Sequence, residues 1–422
     1  MRLSPFLLAA AAASLIPVSA MSQSIDPKVS QRIDRILKAT PLIDGHNDLP
    51  EQLRENYELN VAGLASGGTT RNKPLMTDMA RLKAGRVGGQ FWSVYIDGTV
   101  VGDAAIRQTI EQIDTVHRLV RAYPNDLAWA TSADDLVKAH KAGKVGSLIG
   151  IEGGRQIGGS LAALRLFYDA GARYMTLTHN QTTEWADSAT DQPKWNGLSP
   201  FGREVVGEMN RLGMLVDLSH VSPDVMRQAI GLSKAPVIFS HSSAGGIVPH
   251  PRNVPDDVLR LLPANGGVVM VNWVPGFISQ KVWDWSASRD AETARLKAIH
   301  RASQAAVDAG IKDWDARNPR PETTVVDVAN HVEHVAKIAG YDHVGIGADL
   351  DGIPYTPTGL TGVESYPLLF AELIRRGWSD ANLAKLAGGN VLRALRGAEA
   401  TARSLKDAPP SMAVLEPAKP AQ

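Results

Sequence analysis

The sequence contains no cysteine. Disulfides are therefore excluded, and so is any metal site built on thiolate. A metal in this chain must be held by His, Asp and Glu. Net charge is missing as well, because 44 Lys and Arg balance 44 Asp and Glu. Nothing in that balance favours a nucleic acid or an anionic membrane as a partner. Aromatic residues are few, at 6% of the 422. What remains is an ordinary globular composition, 44% hydrophobic and 21% charged, enough for a large core.

The two ends differ from the body. Arg2 is followed by an apolar, Ala-rich run from Pro5 to Pro17 and by the small residues Val18-Ser19-Ala20. This pattern is that of a signal peptide over 1–20, cleaved near Ala20. The run is short for a membrane span. The expectation is a soluble protein exported across an inner membrane to the periplasm, with no stable membrane anchor. Residues 406–422 are rich in Pro and Ala and read as a flexible tail. Between the ends, 24–405 reads as one domain.

A helix over Ser24–Ala39 is expected before the first strand. Apolar strand-like runs then recur at Leu42–Gly45, Gln90–Ile96, Ser147–Ile151, Tyr174–Thr178, Met214–Leu218, Val237–Ser240, Val268–Asn272 and His343–Gly347. Helical patterns fall between several of them, at Ala104–Ala122, Ser160–Ala170, Ser199–Leu212, Pro223–Gly231 and Val325–Ala339. Alternation of this kind marks parallel βαβ units, and eight strands close a TIM-type barrel. The fold class is therefore α/β, a distorted (β/α)8 barrel; an open doubly wound sheet is the alternative. Two insertions stand out. Residues 55–81 read as loop. The longer one, 274–324, follows the seventh strand; it begins in Trp- and Asp-bearing turns and becomes helical around Ala291–Ala309.

Active sites in such barrels lie at the C-terminal ends of the strands. Six of the expected strands end in a metal ligand or acid–base residue: His46 with Asp48, Glu152, His179, His220, His241 and Asp349. Each has a bland reading. A lone His after a strand is usually just hydrogen-bonded, Glu152 before two glycines suits a turn, and Asp349 and Asp351 suit helix caps. Other histidines, among them His117, His140, His300, His331 and His334, fall in helical stretches and read as structural or surface residues.

Taken together the strand-end residues fit a two-metal site. Two divalent ions about 3.5–4 Å apart need a bridging carboxylate and can activate a shared water. Glu152 suits the bridge. His46 and Asp48 would complete one ion's ligands, and His220 and His241 the other's, with positions left open for water and substrate.

The motifs Asp44-Gly45-His46-Asn47-Asp48, Glu152-Gly153-Gly154, Leu177-Thr178-His179-Asn180, Trp185-Ala186-Asp187-Ser188, Asp217-Leu218-Ser219-His220, Ser240-His241-Ser242, Arg252-Asn253, Gly347-Ala348-Asp349-Leu350-Asp351-Gly352 and Gly388-Gly389-Asn390 occur in this order. From about Ile43 to Leu395 the chain thereby resembles the membrane dipeptidase (renal dipeptidase) family of the amidohydrolase-like metal-dependent hydrolases. It differs from the disulfide-bonded, lipid-anchored mammalian members in having no Cys.

The resemblance implies a metal-dependent dipeptidase with two zinc ions, hydrolysing free dipeptides through a metal-bridging hydroxide. L,D-dipeptides are expected among the substrates, and a homodimer is the family's usual state. By motif, His46, Asp48 and Glu152 would bind one zinc, and Glu152, His220 and His241 the other. His179 would face the substrate carbonyl. Arg252 would pair with the C-terminal carboxylate. Asp349 would move the proton from the attacking hydroxide to the leaving amine. His and carboxylate ligands also accept manganese or cobalt. Two other readings stand beside this one. The same site would suit a lactone, a β-lactam or a phosphoester. The chain would otherwise be a periplasmic metal- or peptide-binding protein without turnover.

Overall fold

The computed structural model describes residues 25–415. The expected signal peptide and residues 416–422 of the expected tail lie outside that range. The strands are β1 (Leu42–Asn47), β2 (Val87–Tyr95), β3 (Leu127–Trp129), β4 (Val145–Glu152), β5 (Ala172–Thr176), β6 (Leu215–Asp217), β7 (Ile238–Phe239), β8 (Val268–Val271) and β9 (Val344–Ile346). All pairings between them are parallel, and the sheet order β2-β1-β9-β8-β7-β6-β5-β4 is closed by β2 pairing with β4. The result is an eight-stranded barrel ringed by helices. The open-sheet alternative is thereby excluded.

The eight expected strands are the eight barrel strands, and β3 is an addition. It pairs with Val145–Ser147 at the start of β4, while β5 takes the same edge from Ile149 onward. This wedge, together with register shifts between β1 and β2, distorts the ring.

Strand side chains alternate between two cores, as the pleat requires. Ile43, Phe91, Leu148, Tyr174, Leu215, Ile238, Val268 and Met270 fill the barrel, joined by Val391, Ala394 and Leu395 of helix Asn390–Ser404. Their neighbours Leu42, Trp92, Ile149, Met175, Val216, Phe239 and Val269 face outward under the helical layer. The helices start where the sequence signals them. Ser199 and Ser222 cap the helices Pro200–Leu212 and Pro223–Leu232, each hydroxyl accepting from a backbone N–H three residues on, with proline next in line.

The segment after β8 departs from expectation. Trp283, Asp284 and Trp285 lie inside a helix, Gln280–Ile299, and not in turns. The expected helix around Ala291–Ala309 is broken at His300–Ser303, where Ser303 caps a second helix, Gln304–Arg317. Gln280–Ile299 buries only Val282 and Leu296, so it carries no apolar stripe to read. The two helices hold together through Leu296, Val307 and Ile311 and through paired contacts of Arg289 with Asp315. At the other end, residues 406–415 lie against the body of the domain. Ser411 N donates to Glu208, and Leu415 packs over Gly159. No described helix is long and apolar enough to cross a membrane.

Candidate metal centre at the C-terminal face of the barrel

All eight residues singled out in the sequence converge at one end of the barrel. Asp48, Glu152, His179, His220, His241, Arg252 and Asp349 line one cavity of about 610 Å³. His46 lies fully buried just beneath it.

Glu152 is the hub. Its Oε2 is 3.4 Å from His46 Nε2, and its Oε1 is 3.1 Å from His220 Nε2, 3.4 Å from His241 Nε2 and 3.8 Å from His179 Nε2. His46 Nε2 is also 3.2 Å from Asp48 Oδ2. By distance alone the donor atoms fall into three overlapping groups: His46–Glu152–His241, Glu152–His179–His220 and His46–Asp48–Asp349.

Two of the imidazoles have a fixed tautomer. Ser240 Oγ lies 2.6 Å from Asp217 Oδ2 and 2.8 Å from His241 Nδ1. A hydroxyl has one proton, and the carboxylate can only accept it. Ser240 therefore accepts from His241 Nδ1–H, which leaves a lone pair on Nε2 facing the site. Tyr174 does the same for His46. Its OH donates to Gly45 O at 3.1 Å and accepts from His46 Nδ1 at 2.9 Å. Such partners set ligand orientation in metal sites.

The remaining ligand candidates are released from local duties. Asp48 occupies the N-cap of helix Leu49–Tyr57 but makes no cap bond. Asn47 Oδ1 takes the Leu49 N–H instead. Asp351 accepts from Met76 N at 2.7 Å and so anchors a loop, leaving Asp349 to the cavity. Asp44 is occupied elsewhere, accepting from Gln90, Tyr366 and Ala348 N; burial pushes its carboxyl up to about 6. Gly352 is required by closeness, since a Cβ there would meet Asp48 Oδ2 at 2.2 Å. His220 and Asp349 hold left-handed backbone, at φ 67° and 64°. That region is unfavourable for residues with a Cβ and is often found at working sites.

The electrostatics ask for cations. Burial holds His220 and His241 well below the usual imidazole range, helped by the positive charge of Arg252, so both are neutral donors. Burial opposes charge on His46, but Tyr174, Asp48 and Glu152 outweigh it and push it well up. The pull there is for positive charge, whether a proton or a metal ion. Burial would raise Glu152, yet the imidazoles of His46, His220 and His179 hold it well below its ordinary value. Asp349 moves the other way, raised by burial and by the charges of Asp48 and Glu152.

Among the described residues, buried His46 Nε2 and Asp48 Oδ1 have no hydrogen-bond partner. Converging lone pairs and carboxylates with orphaned atoms are costly unless a cation joins them. The donor set, all nitrogen and oxygen, suits zinc-type divalent ions.

Glu51, Tyr95, His250 and Phe277 are among the other residues that line the cavity. The Tyr95 ring packs on His179 at 4.7 Å between centroids, and His250 packs on Phe277 at 4.2 Å. Burial and the charges of Asp48, Glu152, Glu55 and Asp349 raise the Glu51 carboxyl to about 9. Arg252 is pushed down to about 10 by burial and still carries its charge. Among the described residues its guanidinium makes only long hydrogen bonds, 3.5 Å to Ser242 Oγ and 3.4 Å to His241 O, so its fork is free for a ligand. Asn253 holds this loop in place by donating to Val248 O and Phe277 O. The Trp185-Ala186-Asp187-Ser188 motif braces His179 and His220. Ser188 Oγ bonds His179 O and His220 O, and Asp187 accepts from Lys194, Trp195 and Gly197 N.

The model of the membrane dipeptidase family, peptidase family M19, matches residues 30–409. The chain belongs to the membrane dipeptidase family. This member is 41% identical over 389 residues to an uncharacterized dipeptidase of Schizosaccharomyces pombe, covering 89% of this chain and 85% of that one. Among solved structures it resembles the probable dipeptidase PvdM of Pseudomonas aeruginosa, with a TM-score of 0.74 and 24% identity over 89% of this chain and 100% of the other. It also resembles a metallopeptidase of Rhodobacter sphaeroides liganded with a phosphinate mimic of L-Ala-D-Ala, with a TM-score of 0.70 and 23% identity over 85% and 99% of the two chains. These structural likenesses establish the shared fold, and family membership makes this chain a metal-dependent hydrolase of dipeptides.

Proposed function

We propose that this membrane dipeptidase family member cleaves the peptide bond of free dipeptides at a centre of two divalent metal ions, zinc by preference. One observation carries the reading. The two oxygens of Glu152 point apart, Oε2 toward His46 and Oε1 toward His220 and His241. A carboxylate so placed would serve two ions at once. His46 and Asp48 would complete one set of ligands, and His220 and His241 the other. When bound, such ions supply an activated water near neutral pH and polarise the substrate carbonyl.

The chain's own groups do the rest. The Arg252 guanidinium accepts the substrate's C-terminal carboxylate as a planar fork. That contact sets the peptide bond over Glu152. His179, kept neutral by burial and by repulsion from Arg252, donates a hydrogen bond to the carbonyl oxygen as negative charge develops there. Asp349 takes the proton of the attacking water on its carboxylate and returns it to the leaving nitrogen. A neighbouring cation is needed to bring Asp349 into its ionised form, because its surroundings oppose it. We extend the proposal to L,D-dipeptides. The Rhodobacter sphaeroides relative holding an L-Ala-D-Ala mimic supports that extension.

The test uses purified protein stripped of metal and reloaded with zinc, manganese or cobalt. L,L- and L,D-dipeptides are assayed while bound metal is quantified. Full activity needing two equivalents is the expected result. Activity at one equivalent, or none on any dipeptide, would overturn the reading.

A further inference from the structure

Glu51 stands in the first turn of helix Leu49–Tyr57, three residues after Asp48, and lines the cavity. An acid in a first turn is common, because the helix dipole favours it. Such residues normally face solvent; this one is half-buried and faces the reaction space. The nearest arginine in sequence does not neutralise it. Arg54 Nε donates to Gln112, and its Nη1 lies by Glu111. The charged groups that act on Glu51 most strongly are Asp48, Glu152, Glu55 and Asp349, all of one sign. A carboxylate in such company is unfavourable until a positive group reaches it.

The far wall is cationic. Arg252 follows β7, which lies across the eight-stranded ring from β2. Tyr95, the last residue of β2, feels the charge of Glu51, and β1, which leads into Glu51, is the neighbour of β2. The cavity thus sets carboxyl groups on one side and a guanidinium on the other, with Glu152 between. A free dipeptide has the matching polarity, an ammonium and a carboxylate about 7 Å apart in an extended chain.

We propose that Glu51 receives the α-ammonium of the substrate and imposes the requirement for a free amino terminus. This rests on the dipeptidase reading above, with Arg252 taking the carboxylate. With both ends engaged, only a chain of two residues places its single peptide bond at the centre. A peptide extended at its amino end presents a neutral amide to Glu51 and leaves the carboxylate unpaired. Glu51 is in this sense a length-setting residue.

The experiment compares phosphinate isosteres of one dipeptide, with the amine free or acetylated, binding to zinc-loaded protein in titration calorimetry. Wild type should prefer the free amine by about tenfold or more, the scale of one charge-assisted contact. Glu51→Gln should lose that preference and keep its metal, and Glu51→Asp should retain part of it. In turnover, Glu51→Gln should raise KM for free dipeptides about tenfold with a much smaller change in kcat. A preference undiminished in Glu51→Gln would overturn the proposal. So would loss of bound metal, or a loss confined to ligands whose first residue is Lys or Arg. The binding comparison needs no turnover. Failure to hydrolyse any dipeptide would overturn the dipeptidase reading, while the calorimetry still decides the role of Glu51.

Discussion

Ser240 and His241, adjacent in the chain, are joined side chain to side chain, with Oγ 2.8 Å from Nδ1. Because Asp217 takes the serine proton, the imidazole is held with its Nε2 lone pair toward Glu152. Ser240→Ala removes that restraint without touching the donor atom. Metal affinity should fall roughly 10–100-fold, the usual cost of losing such a partner. Competition with a chelator measures it, and an unchanged circular dichroism spectrum shows that the fold is intact. Equal affinity in Ser240→Ala would remove the serine from any orienting role.

Asp349→Asn tests proton transfer. The variant should bind its full complement of metal and lose about 10²–10⁴-fold in kcat, the range for a positioned acid–base group. Metal analysis run beside the kinetics separates this from a ligand role. Asp349 stands within ligand distance of His46 and Asp48, so loss of an ion would reassign it.

His179 poses the same question on the other side. It groups with Glu152 and His220 by distance, yet its ring is partly open to the cavity. A substrate-facing residue predicts that His179→Ala keeps both ions and loses kcat. A drop to one equivalent of metal would make it a ligand.

Arg252→Lys keeps the charge and removes the planar fork. KM for dipeptides should rise about tenfold or more, with kcat less affected. Amidated dipeptides, which lack the carboxylate, should show little difference between the two proteins.

Acid sensitivity should trace in part to a histidine away from the metals. His331 is fully buried; its Nδ1 accepts from Ala244 N, and its Nε2 lies 3.3 Å from Ile278 O. Burial depresses it to about 4 from 6.5. Its folded value lies below the unfolded one, so its contribution is complete above pH 6.5 and lost as pH falls toward 4. That interval corresponds to about 3 kcal/mol, as an upper-end estimate. Denaturant unfolding of metal-free protein across this range should show stability falling with acid, with a shallower fall in His331→Gln. Identical slopes would exclude His331 as a source.

The barrel strands were readable because each is a short apolar run that stops at a polar residue, with Ile43 and Leu148 inside and Leu42 and Ile149 outside. β3 was not, since Leu127–Trp129 is too short to show a period. The helices of 280–317 hid for a different reason: they bury one small cluster and present no stripe. In the site, the His and acidic residues at strand ends stood out by position. Glu51 did not, because an acid three residues into a helix resembles a dipole-stabilising residue. Tyr95 ends β2, where Phe91 and Trp92 are mixed with the polar Gln90 and Ser93. Phe277 meets His250 and Arg252 only through folding of the segment after β8, and no local pattern announces that.

The left-handed backbone at His220, Asp349 and Asp351, with φ of 67°, 64° and 66°, has a further consequence. Each departs from the conformation its residue type prefers, at a cost of about 1 kcal/mol or more. Asparagine tolerates that region better than most side chains, and glycine best. In metal-free protein the surroundings of Asp349 oppose its charge, so folding near neutral pH must protonate it, a cost that the amide of Asp349→Asn avoids. The variant that no longer turns over substrate should therefore melt at a higher temperature than the active protein. Resistance to heat and catalytic competence pull against each other at this position, and thermal denaturation alone can report where the chain has been shaped for chemistry.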